Sequence, residues 1–413
     1  MHIAYALSDR QGSYSKFAGA SMASVLANTE EKVSFHLLHD GTMSEENRGR
    51  FAELVADTGS EVHFYDVPAR IGPTLEEGRR ILPEGIYSDR YTGANIYRLV
   101  LPEVLPAEVE KVIFLDADTI VNLDINDLWQ EDTGEAGLAA VSDFDVLEHF
   151  GQGEKIRPKD SFLYREELAD VHGIFNAGVM LLNLIVLRQG PNLLIDGLKF
   201  LREHNGEWKF FDNDILIGFF GRTYRHLPWR FQVRLSWARR FSDGRLEKAI
   251  YHYVDRDYSF DPKIRFHTLF FHYLLQSPWG WEDGLCACYR ATRELGLLQM
   301  QDRLQKIRLI MNACRGKKRC FMGLAEDEGR LQVDFGLGAD EIFYPLVPGG
   351  EVRLPGPTSE YFYLVFWSNY KEVKALLEGA GLKEYRDFAD GRLLMPEHLA
   401  DVVPEDRLVV WEM

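Results

Sequence analysis

Two aspartates, Asp116 and Asp118, close a strongly apolar run in the segment VEKVIFLDADTIV. Residues two apart in a strand point to the same face, and even in a turn both carboxylates reach one cation. Carboxylate oxygens are hard ligands that suit Mg²⁺ or Mn²⁺, and such sites commonly share their metal with substrate phosphates. A metal that bridges diphosphate oxygens disperses the negative charge of the departing group. The pair therefore predicts a divalent-metal site for diphosphate chemistry.

Two other interpretations of this motif stay open at the level of the residues. Pairs of aspartates two apart are common on the surface of acidic proteins, although the apolar VIFL before this pair favours a site. The motif also resembles the strand end of phosphatases in which the first aspartate, here Asp116, is a nucleophile. In that pattern the threonine comes one position later than Thr119, and the motif usually opens its domain.

The segments around the motif alternate between strand and helix patterns. Buried strands are predicted for HIAYAL, KVSFHLLHD and EVHFYDV, and helices for FAGASMASVLAN, residues 48–56 and ANIYRLVLPEVLP. Such alternation predicts a parallel sheet with helices on both faces. In open parallel sheets ligands bind beyond the carboxyl ends of the strands, and the two aspartates follow such an end.

The composition places the chain among folded globular proteins. Its 413 residues, 46% of them hydrophobic, predict one large domain and a smaller one. The net charge of -17 argues against broad nucleic-acid binding, which needs a basic face. The N-terminal residues lack the features of a signal peptide, and no apolar run approaches the ~18 residues of a membrane span. Four cysteines fit a reducing compartment. We therefore expect a cytoplasmic protein.

Several motifs together resemble glycosyltransferase family 8, the family of glycogenin and of bacterial lipopolysaccharide galactosyl- and glucosyltransferases. They span roughly residues 2–280 and follow the family's order: HIAYALSD, NIYRLVLPEVLP, VIFLDADTIVNLDINDLW, GIFNAGVMLLNL, FFDNDILIGFF with HLPWRFQ, and AIYHYV. The resemblance implies an α/β, GT-A-type nucleotide-diphospho-sugar transferase fold with a Rossmann-like mixed sheet and a small C-terminal α/β accessory domain.

The resemblance also implies a metal-dependent donor site. It makes Asp116, Asp118 and His252 the ligands of Mn²⁺, or of Mg²⁺. Without it, His252 in its apolar run would be taken for a core histidine, and His272, in FFHYLLQSPW, is the alternative ligand. The remaining assignments are Ala6, Ser8, Asp9 and Tyr14 at the uridine, Arg98 and Ala117 along the donor, and Asn176, Asp212 and Asn213 as catalytic residues near the sugar.

The chain departs from the family pattern at three places. Asn213 stands where family members often have glutamine, and Ser8 replaces the first aspartate of a uracil-contacting pair. The usual HxxGxxKPW stretch, whose lysine touches the diphosphate, appears here as HYVDRDYSFDPK. Arg256 or Lys263 is then expected to supply the positive charge. These changes leave the identity of the sugar open.

The function that the resemblance implies is transfer of a hexose, glucose or galactose, from a UDP-sugar to a glycan, lipopolysaccharide or other saccharide acceptor with retention of configuration. Double displacement needs a carboxylate nucleophile. Asp212 is the one nearby candidate, so we expect same-face substitution, in which the departing diphosphate helps deprotonate the acceptor. The alternatives are a noncatalytic nucleotide-sugar or glycan-binding protein and an aspartate-nucleophile phosphatase.

The chain is predicted to consist of three parts. They are a catalytic domain, 1–280, a helical, partly basic linker, 281–325, and an accessory domain, 326–413. Seven Lys/Arg against one Asp in 302–319 would suit peripheral contact with an anionic membrane carrying a lipid-linked glycan, or a solvated linker helix. The GLGAD stretch at 336–340 lacks the third glycine of a dinucleotide-binding loop, and we reject that interpretation.

Overall fold

The computed structural model describes residues 1–12, 14–81, 93–153, 161–204, 206–242, 246–254, 265–281, 284–338, 341–347, 350, 354 and 360–395. The chain forms two compact units, Met1–Arg290 and Ala291–Met413. The stretch for which the sequence predicts a linker, 281–325, contains a long helix and the first strand of the second unit.

A mixed sheet forms the centre of the first unit, with strand order β3-β2-β1-β4-β7-β6-β8. The strands β1, β2, β3 and β4 pair in parallel, whereas β7 is antiparallel to both of its neighbours. A second small sheet has the order β5-β10-β9. The strands of this unit are β1 (His2–Leu7), β2 (Ser34–His39), β3 (Glu61–Asp66), β4 (Lys111–Leu115), β5 (Thr119–Val121), β6 (Leu138–Ser142), β7 (Phe175–Asn183), β8 (Arg225–His226), β9 (Val233–Arg234) and β10 (Ile250–His252).

Helices connect these strands. They are α1 (Ser15–Asn28), α2 (Glu45–Val55), α3 (Val67–Ile81), α4 (Leu101–Val104), α5 (Asn126–Trp129), α6 (Asp143–His149), α7 (Phe162–Arg165), α8 (Leu184–Gln189), α9 (Leu193–Glu203), α10 (Asp212–Phe220), α11 (Leu235–Phe241), α12 (Arg265–Leu274) and α13 (Gly284–Cys314), with 3₁₀ helices at Gly93–Val100 and Trp229–Phe231. The single helix predicted for ANIYRLVLPEVLP is thus a 3₁₀ helix followed by α4. Pro102 lies in the first turn of α4, where its missing N–H has no helical partner to lose.

The alternating side chains of β1 connect the main sheet to two separate hydrophobic cores. Ile3, Tyr5 and Leu7 pack into the core that contains α1 and α12, whereas Ala4 packs into the core that contains α9 and α10. Successive strand residues point to opposite faces, so helices cover both sides of the sheet. The α/β architecture with a parallel-rich mixed sheet is as the sequence predicts.

The second unit is built on a parallel sheet of order β12-β11-β13-β14. Ile307 and Ile310 of α13 pack into its core, so apolar side chains of the basic segment are buried in protein. Gly336 ends a helix in the left-handed conformation, with φ of 58°, which accounts for the glycine of GLGAD. The elements are β11 (Lys318–Gly323), α14 (Glu328–Phe335), β12 (Glu341–Pro345), β13 (Tyr361–Val365), α15 (Tyr370–Gly379) and β14 (Phe388–Asp390), with 3₁₀ helices at Ala325–Asp327 and Gly391–Leu394.

None of the helices in the described part of the chain combines the length and the apolar character that crossing a bilayer requires.

Two helical glycines provide a test of the packing around α1. A Cβ atom on Gly19 would overlap the Trp279 ring, whereas Gly49 in α2 has open space around it. We expect Gly19→Ala to lower the free energy of unfolding by about 1–3 kcal/mol through overpacking. Gly49→Ala should raise it by about 0.5–1 kcal/mol, because alanine loses less backbone entropy. Urea unfolding measures both. Equal stability of the two variants would contradict this packing.

Candidate metal centre and active site

The turn that carries Asp116 and Asp118 connects β4 to β5 and is fastened to two other strands. The Asp116 N–H donates to the Gly178 carbonyl of β7 at 2.8 Å, and the Tyr253 N–H donates to the Asp118 carbonyl at 2.8 Å. The Thr119 hydroxyl closes the turn by donating to the Asp116 carbonyl at 2.8 Å. The position of both carboxylates is therefore determined by β7 and by the chain just after β10.

Asp116, Asp118 and His252 form one cluster, in which one ligand atom from each residue lies within 4.8 Å of the others. His252 Nε2 is 3.1 Å from Asp118 Oδ1 and 3.5 Å from Asp116 Oδ2. The antiparallel pairing of β10 with β5 sets His252 opposite Thr119, next to the turn. Two carboxylates and one imidazole are a donor set that fits Mn²⁺. Within the described chain, His272 is not part of this cluster.

The charges in the cluster shift its protonation. Burial by itself lowers the pKa of His252, but Asp118 and Asp116 outweigh burial and raise the pKa above its ordinary value. Burial raises the pKa of Asp116, against the opposing effects of Arg98 and His252. A cation coordinated by all three side chains must displace the protons that these shifts favour.

Arg98 bridges the turn that carries Asp116 and Asp118 and the start of α10. Its Nη2 is 2.6 Å from Asp116 Oδ1, and its Nε is 3.1 Å from Asp212 Oδ2. Its Nη1 donates to the Ala177 carbonyl at 2.9 Å, and the guanidinium lies over the Phe114 ring. Burial raises the pKa of Asp212 to about 6, although the guanidinium opposes the shift. The arginine assigned to the donor is thus held by two carboxylates of the site.

A strained turn positions Asp212. Phe211, just before it, has φ of 49° and ψ of -101°, a conformation that costs a non-glycine residue about 1–3 kcal/mol. The Asp214 carboxylate stabilises the turn by accepting the N–H groups of Lys209 at 2.8 Å and Phe210 at 2.5 Å. Asp214 was not among the residues predicted for the site; the only signal for it was its place as the second acid of FDNDI.

Asn213, the next residue of α10, is joined to the backbone of β7 through both ends of its amide. Oδ1 accepts the Ala177 N–H at 2.8 Å, and Nδ2 donates to the Phe175 carbonyl at 3.0 Å. Asn213 therefore connects α10 to β7. Its predicted contact with the reacting carbon stays a prediction.

Gln232 connects His252 to Asn176, a predicted catalytic residue, and was missed by sequence reasoning. It is 3% exposed, and its Nε2 lies 2.6 Å from Asn176 Oδ1 and 3.2 Å from His252 Nδ1. Its Oε1 accepts the Val179 N–H at 3.1 Å. Gln232 thus contacts Nδ1 and leaves Nε2, the ring nitrogen beside Asp118, for a metal. The available signal was the glutamine that ends HLPWRFQ.

The carboxylate of Asp9 is occupied by the N-terminus of α1. Oδ1 accepts the N–H groups of Tyr14 at 2.6 Å and Ser15 at 3.3 Å. Oδ2 accepts from the Ser15 hydroxyl at 2.6 Å and from Asn47 Nδ2 at 2.7 Å. With these four bonds the Asp9 side chain acts as a helix cap. Its backbone N–H donates to the Thr42 hydroxyl at 2.9 Å and its carbonyl accepts the Gly12 N–H at 2.9 Å, so the uridine contact of Asp9 stays a prediction.

The other residues predicted at the nucleotide lie near the carboxyl ends of β1 and β4. Ala6 is in β1, and the Ser8 hydroxyl donates to Asp40 Oδ2 at 2.7 Å. Ala117 is buried in the core, so its backbone is the part that remains for a donor. Strand β1 lies between β2 and β4, at the point where the strand order reverses, and such a point is the usual ligand crevice of open α/β sheets.

Arg234 is a further cation close to the metal ligands. It pairs with His252 across β9 and β10, and its Nη2 is 2.6 Å from Asp143 Oδ2. Its charge acts to lower the pKa of His252. The two residues proposed to replace the family lysine, Arg256 and Lys263, lie outside the described residues.

Comparison with known proteins finds a matching family and similar sequences. The family model "Glycosyl transferase family 8" matches residues 2–274. General stress protein A of Bacillus subtilis is 24% identical over 298 residues, which cover 68% of this chain and 94% of that protein. Lipopolysaccharide 1,3-galactosyltransferase of Salmonella typhimurium is 26% identical over 244 residues, which cover 57% of this chain and 66% of that protein.

The fold also matches a solved structure. The galactosyltransferase LgtC, crystallised with donor and acceptor sugar analogues, aligns with a TM-score of 0.52 and 23% identity. The alignment covers 67% of this chain and 96% of that chain. The GT-A-type fold predicted from the sequence is confirmed.

The two candidate histidines can be separated by metal binding. We expect His252→Ala to weaken Mn²⁺ binding by at least about 100-fold. Loss of a residue that only supports a metal ligand already weakens metal binding by about 10–100-fold. His272→Ala should bind Mn²⁺ as the unaltered chain does. Calorimetric titration of the full chain measures both affinities. Unchanged affinity in His252→Ala would remove His252 from the site.

The supporting role of Gln232 has a matched control, because Gln276 also contacts a histidine, with its Nε2 3.0 Å from His272 Nε2. We expect Gln232→Leu to weaken Mn²⁺ binding by about 10–100-fold, since His252 loses the group that orients its ring. Gln276→Leu should leave the affinity unchanged. Thermal unfolding of both variants checks that the fold is intact. Equal affinities would show that Gln232 does not position the metal ligand.

Proposed function

The chain belongs to glycosyltransferase family 8 and is a glycosyltransferase, and we propose that it transfers a hexose from a UDP-sugar to a saccharide acceptor with a divalent metal. The observation that carries this proposal is the cluster of Asp116, Asp118 and His252 beside Arg98 and Asp212. Carboxylates, an imidazole and a guanidinium at the end of a buried strand suit a nucleoside diphosphate whose phosphates share a cation.

Glucose or galactose is the proposed sugar. The name of the Salmonella relative, a lipopolysaccharide 1,3-galactosyltransferase, supports a hexose donor and a saccharide acceptor. Ala6, Ser8 and Asp9 are proposed to lie at the uridine, with backbone contacts from Ala6 and Ser8, because the carboxylate of Asp9 caps α1 and its backbone binds Thr42 and Gly12. Tyr14, at the start of the same helix, is proposed to cover the base.

Mn²⁺ is the proposed metal, with Mg²⁺ as the alternative. When bound, it supplies Lewis-acid neutralisation of the charge that develops on the departing diphosphate. Asp116, Asp118 and His252 would hold it, and the imidazole favours Mn²⁺ because Mg²⁺ accepts nitrogen less readily. Arg234, beside His252, is proposed to supply positive charge in place of the family lysine, since its guanidinium is fixed by Asp143.

The proposed mechanism is substitution on one face of the sugar. The bond between the anomeric carbon and the diphosphate oxygen breaks, the acceptor oxygen bonds to the same face, and the acceptor proton passes to the leaving diphosphate. Asp212 is held by Arg98 and accepts sugar hydroxyls in this proposal. Asn213 and Gln232 act as positioning residues, because their amides bind the β7 backbone.

The acceptor is proposed to be a glycan such as that of a lipopolysaccharide, modified in the cytoplasm. Peripheral contact between the basic segment 302–319 and an anionic membrane would bring a lipid-linked acceptor close. Such contact depends on exposed cations such as Arg308 and Arg315, because Ile307 and Ile310 are buried in the protein core.

Donor turnover tests this function. We expect Mn²⁺-dependent release of UDP from UDP-glucose or UDP-galactose in water. NMR should show that the first product retains the anomeric configuration of the donor. Asp118→Asn should lower the rate by about 100-fold or more, the scale for loss of one group that stabilises transition-state charge. Asp57→Asn, at an exposed position in the turn after α2, is the matched control and should not change the rate.

Three outcomes would contradict parts of the proposal. UDP release that persists in the presence of a chelator would exclude a metal-dependent reaction. A covalent glycosyl–Asp212 adduct in the intact mass spectrum excludes same-face substitution. Binding of UDP without turnover of any UDP-sugar, across a screen of donors and acceptors, would favour the noncatalytic alternative.

A further inference from the structure

A cavity of about 290 Å³ lies within the second unit. The residues around it follow three strands of the parallel sheet: Leu324, Asp327, Arg330 and Leu331 after β11, Phe366, Trp367 and Ser368 after β13, and Arg392 and Met395 after β14. The volume is close to the lower end of the range for ligand pockets, about 300–1,000 Å³. It has room for one small ligand.

The position of this cavity follows from the strand order. Strand β11 comes first in the chain, β12 pairs on one side of it and β13 on the other. The chain therefore leaves the carboxyl ends of β11 and β13 in opposite directions and opens a crevice between them. This is the place at which open α/β sheets bind ligands.

An aromatic ring forms part of the cavity wall. Trp367 packs against the hydrophobic cluster on one face of the sheet and is partly exposed at the cavity. Its indole N–H donates no hydrogen bond to the part of the chain that the structure describes. Phe366, beside it, stacks on Phe321, which fixes the backbone next to Trp367. The cavity thus offers an anchored aromatic surface with a donor at its edge.

Fixed polar groups lie around this ring. Arg392 donates twice to Asp390, at 2.9 and 2.7 Å, and once to the Ser368 carbonyl at 3.2 Å. A guanidinium has five N–H donors, so 5 - 3 = 2 remain for a ligand. Asp327 Oδ2 accepts the Leu324 N–H at 3.0 Å, and Oδ1 accepts no hydrogen bond from the described residues. These donors and this acceptor are oriented by the loops themselves.

The charge around the cavity favours a neutral ligand. Each guanidinium on the wall already has a carboxylate partner, Arg392 with Asp390 and Arg330 with Asp334. The Asp327 carboxylate adds negative charge, which repels phosphate. A phosphate site would instead need unpaired cations or converging N–H groups.

We propose that the second unit binds a neutral saccharide ring in this cavity. The negative face of the Trp367 ring attracts the polarised C–H groups of a sugar ring. Arg392 and Asp327 then donate to and accept from its hydroxyls. This glycan-binding site lies wholly in the second unit and does not rest on the proposed transfer reaction.

Saccharide binding to the full chain tests the proposal. Saturation-transfer NMR would use methyl glucoside, methyl galactoside and lactose, with a chelator and without a UDP-sugar. We expect ring-proton signals from at least one of them. Trp367→Ala should weaken binding about fivefold to tenfold, as loss of one aromatic contact predicts. Trp281→Ala, which removes a tryptophan that is 69% exposed in the first unit, should not change binding.

Two further variants distinguish loss of this site from unfolding of the chain and from effects at the cluster of Asp116, Asp118 and His252. Ser368→Tyr, made at an exposed position of the cavity wall, should block saccharide binding without removing a packed side chain. Asp118→Asn should bind saccharide as the unaltered chain does, even if the transfer reaction fails. The proposal is overturned if both Trp367→Ala and Ser368→Tyr bind saccharide as the unaltered chain does. It is also overturned if the unaltered chain binds no saccharide. Displacement of the saccharide by inorganic phosphate would assign an anion to the cavity and also overturn it.

Discussion

Three largely buried carboxylates lie together beside Arg98: those of Asp116 and Asp212 contact its guanidinium, and that of Asp118 contacts His252. Their formal charge is -3 + 1 = -2 before His252 is counted, and burying unbalanced charge is costly. The pKa values of Asp116, Asp212 and His252 are all raised, so the protein favours the protonated form of each group more than water does. A divalent cation balances the same charge without protons and brings its own attraction for phosphate. The charge imbalance therefore suits the proposed binding of a metal together with a diphosphate donor.

Strand β7 supports this arrangement of charges mainly through its backbone. The Asp116 N–H, the amide of Asn213 and the amide of Gln232 all bind main-chain groups of β7. Gly178 belongs to the same strand, and a Cβ atom there would overlap the His252 ring. Backbone groups of a central strand move little, so ligands attached to them keep their geometry. The strained conformation of Phe211 is the local cost of bringing α10 to this strand.

Both units use the same property of parallel sheets. In the first, the chain diverges at the carboxyl ends of β1 and β4, and the metal turn follows β4. In the second, it diverges at β11 and β13, and the cavity lies at their ends. The side chains added to these two crevices differ in charge. Unbalanced carboxylates suit a cation with a diphosphate, whereas paired charges around Trp367 suit a neutral ring. The strand order provides the crevice, and the side chains select the ligand.

Local patterns in the sequence were enough to predict the α/β fold and the turn of Asp116 and Asp118, because strand alternation and a polar group after an apolar run are properties of neighbouring residues. The family followed from the resemblance of several motifs in a shared order. The resemblance favoured His252 over His272, and the tertiary structure brings His252 to Asp118 across 134 residues through the pairing of β10 with β5. It also places Gln232 between His252 and Asn176 and shows that the Asp9 side chain caps α1. Each depends on which strands pair and in which register, and a local pattern does not encode partners that are distant in the chain.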